Sequence, residues 1–369
     1  MPDHDVAIVG AGPVGLLLAC LLAQRGIDVA VFEARDGADE RSRAIGIHPP
    51  GQVALDAAGI GDEARGEALV LEGGEVVCAG RVLASLSFSE RQRVLILPQH
   101  RTGELLRGRL SELSADALQL GRAVAGVRNE GTVVRLTLAQ SNDVTASVVV
   151  AADGVRSGIR QQLGIGWRGR PGAGWYAMAD THDVDRGSRA QLYCEAEGLV
   201  ESFPLPEGRR RWVAADPERV LGEAESFMRA IHARTGIHLD LASETRPTIF
   251  QARQHRASRL VDGRVVLVGD AAHETSPIGG QGMNLGWAAA VDLAAAIERA
   301  LRVELPDFSD YERRALRAAA RAQRRSYFYM TMGRPVRGPV LHGRNAVIRM
   351  LGTAPLRGRT ADMITMRGT

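Results

Sequence analysis

The sequence contains no lysine, so all 46 of its basic Lys/Arg positions are arginine, against 43 acidic residues. This absence excludes a Schiff-base lysine, a lysine nucleophile and the lysine of a phosphate-binding loop. The bias is typical of an arginine-favouring, GC-rich genome. The formal net charge is only +3 and no basic stripe with interleaved aromatic residues occurs, so nucleic-acid binding is not predicted.

Cysteine is also scarce. Cys20, Cys78 and Cys194 lie far apart without CxxC spacing, which argues against a disulfide framework or a thiolate metal site. The histidines show no HxxxH or HxH spacing, so no metal is predicted. No run of about 18 apolar residues occurs and no basic leader precedes the first apolar run, so we expect a soluble, cytoplasmic protein.

The first 35 residues have the pattern of a dinucleotide-binding βαβ unit. Residues 5–9 and 29–32 are short apolar runs on either side of a helical pattern, and Glu33 follows the second run. The turn into the helix carries Gly10, Gly12 and Gly15. In such a unit the first glycine permits a tight turn, the second lets the backbone approach a pyrophosphate, and the third lets the helix pack close to the strand. This fingerprint alone does not distinguish FAD from NAD.

Two later apolar strands also end in an acid. Residues 147–152 precede Asp153, and residues 263–268 precede Gly269 and Asp270. Ligands bind at the carboxyl ends of parallel strands in an open α/β sheet. Three further glycines, Gly279, Gly280 and Gly282, then remove side chains from the turn into a helix. Backbone N–H groups at that helix start can point at the negatively charged N1–C2 edge of a reduced flavin.

In this order, the GAGPVG turn, the DG…S..R segment and GDAAH…P.GGQGMN resemble the FAD-dependent aromatic hydroxylases typified by para-hydroxybenzoate hydroxylase, the group A flavoprotein monooxygenases. The resemblance implies an α/β fold: a Rossmann-like FAD-binding domain, an inserted antiparallel β-sheet substrate domain and a helical C-terminal segment. The implied ranges are 1–72, 98–166 and 263–330 for the discontinuous FAD-binding domain, 73–97 and 167–262 for the substrate-binding domain, and 331–369 for the C-terminal helical, basic segment, without a thioredoxin-like domain.

The same resemblance implies roles for individual residues. Glu33 binds the adenosine ribose and Asp270 the ribityl chain, while Asp153 and Gly154 lie near the pyrophosphate and the path of the nicotinamide cofactor. Pro277 lines the substrate side of the isoalloxazine, and no side-chain base is assigned. The remaining predicted FAD-binding residues are Gly10, Gly12, Pro13, Val14, Gly15, Ala34, Arg35, Arg43 (near the phosphates), Ala44 (facing the flavin), Gln99, Arg101, Val124 (against the adenine), Gly269, Gly280, Gly282, Met283 and Asn284.

Residues 167–262 alternate short β-like runs with turns, and residues 199–215 read as a hairpin. With a strand near residues 70–86, they predict a sheet that forms a roof over the flavin. The side chains that could line the pocket below are Tyr176, Met178, Tyr193, Phe203 and Trp212, although a plain core position is favoured for each. Arg209, Arg210 and Arg211 lie beside a turn and are expected to be solvated. His273 is interpreted as a structural histidine rather than a catalytic base.

The C-terminal part carries a predicted capping box, Ser309 to Glu312, that opens a helix running to about Met330. From Thr331 onward there are seven arginines and one acid. A helical cap solvated by arginine is the favoured interpretation. A peripheral contact with anionic lipid, or guidance of a lipophilic substrate, is the alternative.

The predicted function is an NAD(P)H-consuming FAD monooxygenase that hydroxylates an aromatic, phenolic or polyketide-like small molecule with O2 through a flavin C4a-hydroperoxide. A flavin-dependent reductase or epoxidase of an isoprenoid or lipophilic substrate is the alternative, and oxygen consumption distinguishes the reductase. A flavin-binding regulatory protein without turnover is less favoured. The choice between NADH and NADPH, and between monomer and homodimer, stays open.

Overall fold

The computed structural model describes residues 1–37, 44–170, 174–182 and 187–367. In chain order its first elements are β1 (His4–Val9), α1 (Pro13–Ala23), β2 (Val29–Phe32), β3 (Gly46–Ile47), α2 (Pro49–Ala58), α3 (Gly61–Glu67), β4 (Leu69–Leu71), β5 (Gly73–Cys78), β6 (Arg81–Ser87), β7 (Val94–Ile96), α4 (Gln99–Leu113), β8 (Leu118–Gln119), β9 (Val124–Asn129), β10 (Val134–Leu138), β11 (Val144–Ala151) and α5 (Gly158–Gln162). They are followed by β12 (Trp167–Gly169), β13 (Gly174–His182), β14 (Arg189–Glu195), β15 (Gly198–Leu205), β16 (Arg209–Ala215), α6 (Ala224–Thr235), β17 (Thr248–Ala252), β18 (His255–Ala257), β19 (Val261–Asp262), β20 (Val265–Leu267), β21 (His273–Glu274), α7 (Gly282–Ala300), α8 (Ser309–Met332), α9 (Gly338–Leu351) and α10 (Leu356–Ile364).

A parallel sheet forms the first layer. Strands β20, β11, β1, β2 and β8 pair in parallel in that order, and β19 and the β9–β10 hairpin extend the sheet through antiparallel pairs. The strand residues 6–9 and 29–32 are buried, as continuous apolar runs predict for parallel strands covered on both faces. Helix α1 packs against α4 and α7. The predicted βαβ unit is therefore confirmed as β1–α1–β2.

A second sheet, which we call the roof sheet, runs in the order β17-β13-β16-β15-β14-β5-β6. The predicted hairpin is confirmed, because β15 and β16 pair antiparallel from Val200 to Leu205. The predicted antiparallel sheet is present, and it contains one parallel junction, where β14 pairs with β5. The single strand expected near residues 70–86 is a hairpin of β5 and β6, while β4 joins a small separate sheet with β3 and β7.

Side chains alternate between the two faces of the roof sheet. On one face, Tyr193 and Trp212 pack against α6 in a cluster with Phe227 and Ile231. On the other face, Met178 and Val213 pack in a cluster that reaches α8 and α9. Of the five candidate pocket residues, Tyr193 and Trp212 thus lie on the side of the sheet away from that cluster.

The C-terminal helices pack on the edge of the roof sheet. Helix α9 contacts β6 so closely that a Cβ on Gly352 would lie 2.6 Å from the Cβ of Ala84. Arg344 is buried and donates hydrogen bonds to backbone carbonyls, including that of Cys194 on β14. The expectation of a cap solvated throughout by arginine is wrong for this residue, because its guanidinium anchors α9 to the sheet.

The predicted capping box at the start of α8 is also wrong. The residue that caps the Ser309 N–H is Asp307, at 2.8 Å. Glu312 instead accepts a hydrogen bond from the backbone N–H of Leu260 at 2.5 Å, so this carboxylate joins α8 to the loop before β19. Tyr311 donates to the carbonyl of Leu267 at 2.9 Å and ties α8 to the parallel sheet.

Among the described residues, no helix is both long enough and apolar enough to cross a membrane. The same residues contain no group of three His, Cys, Asp or Glu side chains placed to bind one metal ion.

The close crossing of α1 over its entry turn predicts that adding one methyl group at Gly15 lowers the free energy of unfolding. A Cβ on Gly15 would lie 2.1 Å from the carbonyl oxygen of Gly10, so Gly15→Ala forces α1 away from the turn. We expect a loss of about 1–3 kcal/mol of unfolding free energy, as for other overpacked sites, measured by denaturant unfolding. Gly108→Ala is the matched control, because Gly108 is exposed within α4 and its Cβ would meet nothing within 4 Å. That control should be neutral or stabilising, and an equally tolerated Gly15→Ala would contradict the close crossing.

Candidate active site

The turn between β1 and α1 contains three glycines, and a different physical constraint favours glycine at each position. Gly10 has a φ of +107°, and a Cβ there would lie 2.5 Å from the carbonyl oxygen of Ala152. Gly15 is required by the helix crossing described above. A Cβ on Gly12 would meet nothing within 4 Å, although its neighbours line a large cavity. This is the geometry expected where a ligand, rather than the protein, approaches the backbone.

Glu33 directly follows β2 and lines the same cavity. Its carboxylate accepts hydrogen bonds from the N–H of Ala11 at 2.9 Å and from the N–H and Nε of Arg35 at 3.1 and 2.9 Å. Burial raises the pKa of Glu33, but these donors outweigh burial and the net shift is downward. The carboxylate is therefore held ionised and fixed in place, as an acceptor for ribose hydroxyl groups must be.

The cavity has a volume of about 1530 Å³ and collects residues from both ends of the chain. A site for one drug-sized ligand occupies roughly 300–1,000 Å³, so this cavity has room for a dinucleotide and a second molecule. The predicted site residues that line it are Gly10, Gly12, Pro13, Val14, Glu33, Ala34, Arg35, Ala44, Gln99, Val124, Asp153, Gly154, Gly269, Asp270, Pro277, Gly280, Gly282 and Met283.

The predicted FAD contact Arg101 does not line the cavity. Arg101 pairs with Glu67 at 2.7 Å and also with Glu104 on its own helix, so its guanidinium is engaged away from the cavity lining. Arg107 of the same helix lines the cavity instead. Arg43 lies outside the described residues.

Asn284 has a connecting position rather than a lining one. Its Oδ1 accepts the N–H of His48 at 2.9 Å, and its Nδ2 donates to the carbonyls of Gly46 and Gly280 at 2.9 and 3.0 Å. Asn284 is fully buried, and its side-chain amide makes these three hydrogen bonds. The first turn of α7 is thereby joined to strand β3.

The acids at the two later strand ends lie in different environments. Asp153 is half-buried, and burial raises its pKa, while the Ile159 N–H donates to it at 3.3 Å. Asp270 is exposed at the cavity, on a 3-10 turn, Gly269–Ala271, that follows β20. Gly269 has a φ of +63°, and a Cβ there would lie 3.2 Å from Val14 of α1. The third segment is thus packed onto the first.

The loop that contains Pro277 connects two hydrophobic clusters. Ile278 belongs to the cluster beneath the roof sheet, whereas Met283 packs against the core of the parallel sheet. A Cβ on Gly279, whose φ is +89°, would lie 2.8 Å from the ring of Tyr329 on α8. His273 is buried and does not line the cavity, and burial lowers its pKa to about 4. The structural interpretation of His273 agrees with this placement.

The structure also places residues in the cavity that the sequence analysis missed. His48 lines it between β3 and the Pro277 loop, and burial lowers its pKa to about 4, so the imidazole is neutral at pH 7. Glu201 of the roof sheet faces the cavity as well. Two signals in the sequence could have identified them. His48 directly precedes the helix-opening Pro49–Pro50 pair, and Glu201 is the one acid in an otherwise mostly apolar strand.

The expectation that the arginines near residue 210 are solvated is wrong for two of them. Arg210 and Arg211 are 1% and 3% exposed. Arg211 lines the cavity and donates from Nε and Nη2 to the two carboxylate oxygens of Asp180, both at 2.8 Å. Arg210 donates to Ser202 on the neighbouring strand at 3.0 Å. Both guanidinium groups are thus bound by neighbouring strands rather than by solvent, and Asp180 neutralises the charge of Arg211.

At the end away from the glycine turn, the cavity widens into an apolar space that we call the chamber. The roof sheet contributes Met178, Leu192, Phe203, Val213 and Phe250, and the C-terminal helices contribute Ile348, Leu351 and Met363. Met178 and Phe203 were among the candidate pocket residues, whereas Tyr176, Tyr193 and Trp212 do not line the cavity. The C-terminal segment thus forms a wall of the cavity.

A backbone-lined dinucleotide site that opens into an apolar chamber defines a flavin-binding protein with room for an organic substrate. Residues 3–326 match the family described as FAD binding domain, and the chain belongs to that family. The residues fit FAD: Gly12 and Gly154 leave open space where a side chain would stand, and Glu33 is a fixed, ionised acceptor.

Related proteins narrow the class further. A relative from Streptomyces rimosus, described as 12-dehydrotetracycline 5-monooxygenase/anhydrotetracycline 6-monooxygenase, is 33% identical over 340 residues, covering 85% of this chain and 67% of the relative. Ubiquinone hydroxylase of Rhodospirillum rubrum is 33% identical over 323 residues, covering 82% and 74%. The structure of p-nitrophenol 4-monooxygenase from Pseudomonas putida superposes with a TM-score of 0.85, covering 99% of this chain and 98% of that chain, and at 22% identity shows the fold alone.

The chain is therefore an FAD-dependent monooxygenase of the aromatic hydroxylase family, as its motifs predict. The predicted α/β fold class is confirmed. The alternative of an isoprenoid reductase or epoxidase is not favoured by these relatives.

The open space at Gly12 predicts a variant that folds but does not hold FAD. Gly12 has φ −71° and ψ 173°, which valine adopts without strain. Gly12→Val should leave the unfolding transition of the apoprotein unchanged and abolish FAD binding, measured by flavin absorbance per protein and by fluorescence titration. Gly66→Val, at an exposed glycine with equal space, should keep its FAD. Full FAD occupancy in Gly12→Val would refute the placement of the pyrophosphate.

The exposed acid at the end of β20 predicts a graded effect. Removing a charged hydrogen-bond acceptor costs about 1.5–3 kcal/mol, so Asp270→Ala should weaken FAD binding roughly 10- to 100-fold. Asp270→Asn keeps one acceptor oxygen, so its FAD affinity should lie between those of the wild type and Asp270→Ala. The measurement is FAD retention after dialysis, followed by a titration of the apoprotein. Undiminished yellow protein from Asp270→Ala would count against a ribityl contact.

Proposed function

We propose that the chain hydroxylates an aromatic, phenolic or polyketide-like small molecule, using FAD, O2 and NADPH or NADH. The observation that carries this proposal is the single cavity, which connects the glycine turn to the apolar chamber through the Pro277 loop. Relatives described as a 12-dehydrotetracycline and anhydrotetracycline monooxygenase and as a ubiquinone hydroxylase support a ring-containing substrate. The chain covers 67% of the length of the first of these relatives.

In this proposal each part of the cavity has one task. The glycine turn, Glu33 and Asp270 hold the cofactor, and the Pro277 loop separates the cofactor end from the chamber. The roof sheet and the C-terminal helices exclude water and orient the substrate ring. Bound FAD would supply the redox chemistry, in which NADPH or NADH is the reductant and O2 provides one oxygen atom to the product and one to water. None of the predicted site residues is proposed to act as a base in the reaction.

The proposal divides the chain into an FAD-binding part and a substrate-binding part. The FAD-binding part comprises residues 1–72, 98–166 and 263–330, and the substrate-binding part residues 73–97 and 167–262. The nicotinamide cofactor is proposed to dock transiently near Arg43 and Asp153. Cytoplasmic location, contact with a membrane surface and the choice of monomer or homodimer stay predictions.

Oxygen labelling tests the proposed reaction. The FAD-loaded enzyme is supplied with NADPH or NADH, 18O2 and a panel of phenol, resorcinol and 1-naphthol. We expect substrate-stimulated oxidation of the nicotinamide, one O2 consumed per product, and one 18O atom in the product by mass spectrometry. The apoprotein of Gly12→Val is the control for turnover without bound flavin. A product formed without O2 would establish a reductase, and hydrogen peroxide as the sole product with every compound would count against a phenolic substrate.

A further inference from the structure

Glu201 lies in the middle of β15, whose other residues are mostly apolar. It is paired across the sheet with Leu192 on β14 and Val213 on β16, both of which line the chamber. Leu199 and Phe203, two residues away on the same strand, line the cavity too. Glu201 is only 4% exposed. A buried carboxyl group therefore faces the chamber from the centre of the roof sheet.

This carboxyl group has no partner within the part of the chain that the structure describes. No hydrogen bond or ion pair reaches its oxygens among those residues. The arginine that lines the same cavity, Arg211, is bound in bidentate fashion by Asp180. Burial raises the pKa of Glu201 to about 8. At pH 7 the group is thus mainly protonated and can both donate and accept a hydrogen bond.

A second buried carboxylate on the same sheet shows how the fold treats a structural acid. Glu195 at the end of β14 is 8% exposed, and both of its oxygens accept the N–H of Ala79 at 3.0 Å. A buried polar group without a hydrogen bond costs free energy, and an exception in a folded protein calls for an explanation. A hydroxyl group on a ligand in the chamber would provide the missing partner of Glu201.

We propose that Glu201 recognises the substrate: its carboxyl group hydrogen-bonds a hydroxyl group of a neutral hydroxyarene and disfavours ligands that bring a carboxylate into the chamber. The inference rests on the proposed function, since it names the substrate class of that site. The apolar chamber walls do not compensate the charge of a ligand carboxylate, and Arg211 is already neutralised by Asp180. Naphthols and polycyclic phenols fit this site, whereas benzoates and arylpropionates do not.

Ligand binding to the oxidised, FAD-loaded enzyme tests the inference without turnover. The probes are 1-naphthol, its methyl ether 1-methoxynaphthalene, and 1-naphthoate, titrated against the flavin absorbance spectrum. The wild type should bind 1-naphthol about 10-fold more tightly than the ether, the value of one hydrogen bond, and more tightly still than the naphthoate. Glu201→Leu should remove the preference over the ether. Glu201→Gln should keep most of it, because the amide is neutral and also both donates and accepts a hydrogen bond.

The control is Glu75→Gln, the same chemical change at a cavity carboxylate that already contacts Arg189 and Ser85. This variant should keep the wild-type preference. Stability gives an independent readout, because replacing an unpartnered buried acid by leucine should leave the melting temperature of Glu201→Leu equal or higher. A lower melting temperature would reveal a structural partner and overturn the inference.

A wild type without preference for 1-naphthol over its ether, or a leucine variant that keeps the preference, would also overturn it. These outcomes are distinct from failure of the proposed function. If 1-naphthol binds through Glu201 but gains no 18O, recognition stands and oxygenation fails. If 1-naphthol is oxygenated and Glu201→Leu still prefers it over the ether, oxygenation stands and recognition fails.

Discussion

The first helix crosses its own entry turn at backbone contact distance, and the site depends on that crossing. A Cβ on Gly15 would lie 2.1 Å from the Gly10 oxygen, and one on Gly10 would lie 2.5 Å from the oxygen of Ala152 on the next strand end. Because these are contacts between main-chain atoms, helix, turn and neighbouring strand are positioned together. Gly269 then packs onto Val14, so the third strand end is set by the same helix. The polar end of the cavity is built outward from this one close approach.

The two ends of the cavity rely on different physical means. Near the glycine turn, the lining is backbone and glycine together with the carboxylate of Glu33, which its hydrogen-bond donors hold ionised. Beneath the roof sheet, recognition is by apolar shape. The charged or ionisable groups described there are Arg211, which pairs with Asp180, and Glu201, which has no partner among the described residues. The first end suits a ligand common to many proteins, and the second suits a ligand particular to this one. Transfer of apolar surface from water supplies most of the affinity at the second end.

The βαβ unit and the three strand ends were predictable because their signals are local: apolar runs, glycines at fixed spacing and an acid at each strand end. The burial of Arg211 was not, since its partner Asp180 is 31 residues away on a strand whose register no local pattern specifies. The capping box failed for the same reason, because Glu312 is bound by the distant N–H of Leu260. Glu201 was overlooked because a single acid in an apolar strand gains meaning only when its face of the sheet is known. Local sequence patterns thus predicted the glycine turn and the three strand ends, whereas the side chains of the chamber depend on strand register that no local pattern specifies.

Helices α9 and α10 supply side chains to the chamber wall but take no part in the hydrogen-bond ladder of either sheet. We expect that replacing Leu351 or Met363 by a smaller or larger residue changes the depth of the chamber and leaves the glycine turn in place. In this architecture substrate range and cofactor affinity would then be separable traits. Natural selection can alter the first while the second is held constant, and a directed-evolution library confined to these two helices would explore ligand size alone.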